Sequence, residues 1–180
     1  ALGVSYYQGG NGPLKNRQYG LSTGLDLGKI NLGLRVRYWE VRIPGSYPYR
    51  SWNLGAGVQI QLTEELLAGL FLDNITRSRI STDEISPMLW NTGINFRPNE
   101  NLCLLVEVNY VLDEQWQTKL GVEYVIKPRL AVRTGFNLAT LEGYFGVGFK
   151  LERINFDYAI SIHPNLGVTH QGAGNYTWYD

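Results

Sequence analysis

The stretch Asn101–Ile126, NLCLLVEVNYVLDEQWQTKLGVEYVI, reads as two strands about a turn at Asp113-Glu114-Gln115. Leu102, Leu104, Val106, Val108, Tyr110 and Leu112 take the even positions of the first half, and Trp116, Thr118, Leu120, Val122 and Tyr124 those of the second. The odd positions include Glu107, Asn109, Gln117, Lys119, Gly121 and Glu123. A period of two is the strand signal. It makes one face oily and the other charged, and alternation alone does not say which looks inward. A soluble sheet buries its oily face, whereas a membrane barrel turns it outward and keeps the charges inside.

The same period runs nearly end to end. About twelve segments of roughly ten residues are expected, the length a tilted strand needs to cross a bilayer. They are ALGVSYY, QYGLSTGLDLG, INLGLRVRYW, SWNLGAGVQIQL, LLAGLFLDNI, PMLWNTGINF, the two strands above, LAVRTGFNLA, LEGYFGVGFKL, INFDYAISIH and VTHQGAGNYTWY. Tight turns at Gly28-Lys29, Thr63-Glu64-Glu65, Pro98-Asn99-Glu100, Lys127-Pro128-Arg129 and Glu152-Arg153 alternate with a second set. That set includes the longer links GGNGPLKNR, RIPGSYPYR and TRSRISTDEIS, with DEQ and HPNLG shorter. Short turns on one rim and longer loops on the other are the rhythm of an up-and-down antiparallel barrel. The expectation is one all-β domain over residues 1–180.

Four observations turn the oily face toward lipid. Followed through Trp52–Leu62, Met88–Phe96, Leu130–Leu138, Phe145–Leu151 and Ile154–Ile162, it holds no Asp, Glu, Lys or Arg. A soluble core would be equally pure, so glycine matters more. Gly20, Gly24, Gly33, Gly55, Gly57, Gly93, Gly121, Gly135, Gly146 and Gly148 fall mid-strand on the polar face. Glycine weakens a strand and needs a reason; large neighbours inside a narrow barrel supply one. Tyr19, Tyr38, Trp52, Trp90, Tyr110, Trp116, Tyr124, Tyr158, Tyr176 and Trp178 lie mostly near strand ends on the oily face, as interface girdles do. A soluble barrel of this strand number would also need an interior filled with large apolar groups.

Composition narrows the function classes. The chain has 180 residues, 16 basic and 16 acidic, so its formal charge is zero and no nucleic-acid partner is expected. Cys103 is the one cysteine and has no internal disulfide partner. The longest apolar run, Leu66–Leu72, is far too short for a membrane helix. No signal peptide is visible at Ala1, so the chain reads as mature, truncated or cytoplasmic.

The candidate site residues are the inward charges Asp26, Arg35, Arg37, Asp73, Glu107, Lys119, Glu123, Arg133, Glu142, Lys150 and Asp157. Pairing through the Lys127-Pro128 turn could put Glu123 near Arg133, and Lys150 should lie near Asp157 across the Glu152-Arg153 turn. Buried charges must be paired, so a self-satisfied ionic plug is expected ahead of a conducting or ligand-binding lumen. His163 and His170 flank the HPNLG loop and read as loop and strand-end polar groups, and Cys103 as a small interior filler. No metal, cofactor or catalytic residue is expected. Pro44, Tyr47, Pro48, Tyr49, Arg50 and Trp52 form a loop that reads equally as a partner contact or as tyrosines resting at the headgroups.

INFDYAISIHPNLGVTHQ carries a likeness. Its Asp157-Tyr158-Ala159 strand, Pro164-Asn165-Leu166-Gly167 loop and Thr169-His170 pair resemble the end of the PorV/PorQ-like outer-membrane proteins, within the wider FadL-like barrel superfamily. Residues 98–137 resemble their later strands, and Asn74-Ile75 their Asn-Ile pair. Members of that family are longer, so a smaller barrel or a chain lacking N-terminal strands is implied. The ending QGAGNYTWYD departs from the family's basic and alternating apolar final strand. The resemblance implies a bacterial outer-membrane protein that is not an enzyme and serves an envelope complex, secretion-associated and of scaffold type, with the lipid bilayer and other envelope proteins as partners. The alternative is a transport barrel or narrow pore for small or hydrophobic solutes.

Overall fold

The computed structural model describes residues 1–9, 15–45, 47–79, 86–112 and 116–178. The turn expected at 113–115 and the middle of the TRSRISTDEIS link lie outside the described residues. Twelve strands form one antiparallel sheet in sequence order: β1 (Leu2–Gly9), β2 (Lys15–Asp26), β3 (Ile30–Arg42), β4 (Tyr49–Gln61), β5 (Leu66–Asp73), β6 (Leu89–Asn99), β7 (Leu102–Val111), β8 (Trp116–Lys127), β9 (Leu130–Asn137), β10 (Glu142–Leu151), β11 (Ile154–His163) and β12 (Gly167–Tyr176). The up-and-down, all-β expectation holds. Contacts group the chain into two compact units, one with Ala1–Gln61, Ala68–Thr92 and Asn109–Gln115, the other with Leu62–Leu67, Gly93–Val108 and Trp116–Asp180.

Register shows the two faces directly, because residues opposite one another share a side. In the first unit Tyr6, Tyr19, Tyr38 and Trp52 align as one row across β1–β4, with Val4, Leu21, Val36 and Leu54 in the next row on that face. The opposite face carries Ser5, Gly20, Arg37 and Asn53, then Gly3, Ser22, Arg35 and Gly55.

Burial is inverted relative to a soluble protein. Among the described residues the buried side chains are Glu40, Ser51, Asn53, Asp73, Asn74, Ser86, Asn109 and Asn137, with Cys103 the sole buried hydrophobic group. Leu34, Phe145, Phe149 and Phe156 are each more than half exposed. Such a face is stable only against an apolar solvent, and a strand can enter lipid because its backbone groups are satisfied by its neighbours.

A shared device closes many of the turns: a polar side chain at a strand end accepts from the next backbone amides. Asp26 Oδ1 accepts from Gly28 N (2.8 Å), and Gly28 supplies the left-handed φ of +84° that the β2–β3 turn requires. Asn99 Oδ1 accepts from Asn101 N and Leu102 N, Thr63 Oγ1 from Glu65 N and Leu66 N, and His163 Nδ1 from Asn165 N and Leu166 N. Asp26, expected among the inward charges, therefore works at the turn end of β2.

The link after β5 is tied at its base. Asn74 takes a left-handed φ of +54°, which asparagine tolerates better than most residues. Its Nδ2 donates to Ser86 O (2.7 Å), and its Oδ1 accepts from Ser78 N (3.1 Å) and Ser78 Oγ (2.8 Å). Ser86 N closes the base by donating to Ser78 O (2.9 Å). Asn74→Ala should lower unfolding stability by about 1–2 kcal/mol, since it leaves buried partners unpaired. Thr76→Ala, at an exposed bond to Trp52 O of 3.4 Å, should cost less than about 0.5 kcal/mol. Urea unfolding followed by tryptophan fluorescence separates the two.

Candidate functional site

The polar face carries two ion-paired clusters, each built over strand glycines. In the first unit Asp73, at the end of β5, meets two arginines of β3. Arg37 Nη2 donates to Asp73 Oδ2, and Arg35 Nη2 lies 3.3 Å from Oδ1, an ion pair without hydrogen-bond alignment. β4 runs between them, and Gly55 lies opposite Arg35. A methyl at Gly55 would stand 2.8 Å from Phe71 Cζ and 3.2 Å from Asp73 Oδ1, and one at Gly57 would stand 3.0 Å from the Phe71 ring. The glycines let Phe71 lie down on β4, and the Arg35 guanidinium stacks on that ring at 4.5 Å.

The second unit repeats the device. Arg133 of β9 donates through Nε to Glu123 Oε2 of β8 and through Nη1 to Asp157 Oδ1 of β11. β10 lies between β9 and β11, with Gly146 opposite Arg133 and Gly148 opposite Asp157. A methyl at Gly148 would sit 2.7 Å from Asp157 Oδ1 and 2.9 Å from Arg133 Nη1. The arginine thus crosses a strand that has no side chain in its way. This is a specific reason for glycine on the polar face. It does not extend to Gly24 or Gly33, where an added methyl meets only ordinary backbone contacts of 3.6 and 3.9 Å.

The remaining predicted charges are placed as follows. Glu123 lies opposite Arg133, as turn length implied. Lys150 lies opposite Asn155, so Asp157 is its diagonal neighbour on the same face, and the Asp157 carboxylate takes Arg133. Lys119 Nζ pairs with Glu107 Oε1 at 3.5 Å. Glu142 Oε2 accepts from Tyr144 OH (2.7 Å). Cys103 is buried and its thiol contacts Asn95 Oδ1 at 3.2 Å, as befits a small interior filler. His170 Nδ1 meets Tyr158 OH at 2.6 Å on the apolar face. Among the described residues no three His, Cys, Asp or Glu side chains are grouped to hold a metal.

In the loop singled out from sequence, Tyr47 is 91% exposed. Tyr49, Arg50 and Trp52 belong instead to β4, in register with Val41, Glu40 and Tyr38. That register exposes charges missed by following the oily face through other segments: Arg17, Glu40 and Arg50 share one row with the aromatic face's parity. They sit at strand ends beside Lys15 and Arg42, where alternation looks like the start of a loop.

No protein-family model and no curated protein matches this chain. Solved structures do. A toluene transporter, TbuX of Ralstonia pickettii, matches with a TM-score of 0.69 at 13% identity, over 91% of this chain and 68% of its own. A doubly substituted porin of Rh. blastica matches with a TM-score of 0.52 at 7% identity, over 99% of this chain and 91% of its own. The fold is therefore that of the bacterial outer-membrane β-barrels, as expected from the sequence. Neither match singles out the PorV/PorQ branch.

Proposed function

We propose that this chain forms the wall of an outer-membrane transport barrel whose polar face lines a path for a small solute. One observation carries the reading: the paired charges lie flat. Arg133 hugs the backbone of β10 at Gly148, and Phe71 with its stacked Arg35 hugs β4 at Gly55 and Gly57. Side chains that lie along the wall neutralise one another there, strand to strand. That favours a path over the ionic plug expected from charge balance. The likeness to a toluene transporter supports a small or hydrophobic solute.

Detergent-refolded protein in a planar bilayer should give discrete conductance steps. Neutralising Arg133 with Arg35 should shift the reversal potential toward cation preference, because Glu107, Glu123, Asp73 and Asp157 remain. A barrel that folds, as judged by heat-modifiable gel mobility, yet stays silent in the bilayer overturns the reading.

A second reading is an accessory component of a secretion-associated envelope complex of the PorV/PorQ type. It is favoured by the Asp157–Gly167 likeness and by a loop residue there, Leu166, that is 83% exposed. Cross-linking in intact envelopes would recover stoichiometric protein neighbours under this reading and none under simple transport.

A further inference from the structure

From the layered rows on the apolar face of β2–β4, we propose a binding site for the phosphate groups of an outer-leaflet lipid. Four rows climb that face toward the longer loops. Leu21, Val36 and Leu54 form the apolar row, and Tyr19, Tyr38 and Trp52 the next, their rings in contact with centroids 6.3 and 5.0 Å apart. Arg17, Glu40 and Arg50 follow two residues on, and Lys15 lies opposite Arg42 two residues beyond. The patch holds four cations and one carboxylate. At the short-turn end the same face carries Leu25, Leu32, Ile30 and Ile60, without charge.

Position and charge name the occupant. Aromatic girdles rest at headgroup depth, and a row two residues further along a tilted strand lies about 5 Å nearer the rim, where phosphates are. The longer loops of such barrels face the outside, so the leaflet concerned is the outer one. Glu40 orients the cluster: its Oε1 accepts from Arg42 Nε at 2.8 Å and its Oε2 from Arg50 Nε at 3.3 Å. Holding each guanidinium by Nε suits the planar fork to an anion beyond it. The Arg42 and Arg50 side chains remain 50% and 59% exposed. The site requires the membrane-barrel fold and is independent of whether the lumen conducts.

The test is native mass spectrometry of the detergent-solubilised protein, titrated with a diphosphorylated lipid A and with its phosphate-free counterpart. The wild type should retain the phosphorylated lipid at least about tenfold better. The double substitution Arg42→Gln with Arg50→Gln should erase that preference, and Lys127→Gln with Arg129→Gln, at a short turn, should preserve it. Heat-modifiable mobility shows that each variant is folded; if the double variant is not, the wild-type lipid preference decides alone. Equal retention of both lipids, an equal loss in the short-turn variant, or displacement by millimolar inorganic phosphate as a free-anion site would each overturn the proposal.

Discussion

Leu34→Arg is expected to destabilise the folded barrel in bilayers by about 2–4 kcal/mol, the cost of an arginine on the lipid face near mid-bilayer. Leu34 is 54% exposed and lies opposite Thr23 and Ala56, below the Tyr19–Tyr38–Trp52 row. An arginine there has no partner within the apolar rows. Gln59→Arg, on the opposite face and opposite Asn31, should fold nearly as well as wild type. Equilibrium unfolding from thin-chain lipid vesicles measures both. A soluble sheet of the same sequence would rank the two substitutions alike, because its oily face would be its core. What separates the folds is that the lipid-facing assignment requires detergent or bilayer for the wild type to fold, whereas a soluble sheet would be monodisperse in water.

Gly148→Val should cost about 2–4 kcal/mol, combining overpacking with loss of a charge partner. The added group would stand 2.7 Å from Asp157 Oδ1 and 2.9 Å from Arg133 Nη1, so the arginine must leave the strand surface. Asp157 and Arg133 are partly solvated, with side chains 34% and 43% exposed, which keeps the loss below that of a fully buried pair. Gly24→Ala is the control: its new methyl meets only Leu32 O at 3.6 Å, and the change should stay within about 0.5 kcal/mol. The same experiment bears on transport. Under the transport proposal a displaced Arg133 would project into the path, so Gly148→Val should lower single-channel conductance as well as stability. Asp157→Asn with Gly148→Val should add less than the sum of the two, because both break one contact.

The local pattern determined the strands, their number and their faces. Alternation through Leu102–Val108 and Trp116–Tyr124 needs only neighbours along the chain, and an antiparallel hairpin brings its partner by turn length. Glu123 opposite Arg133 is of that kind, separated by one short turn. What sequence left open lies two strands away or more. Arg133 passes over β10 to Asp157, and Arg35 and Arg37 pass over β4 to Asp73, through glycines whose purpose is visible only when the flanking side chains are placed. Asp157 is of the same kind: register sets it one diagonal step from Lys150, and Arg133 reaches it from β9 across a bare strand. The outward charges Arg17, Glu40, Arg42 and Arg50 were hidden differently, since strands run past the point where hydrophobicity ends. Periodicity is a property of one strand, whereas ionic reach and the height of a charge against the membrane belong to the assembled wall, and only the tertiary structure decided those.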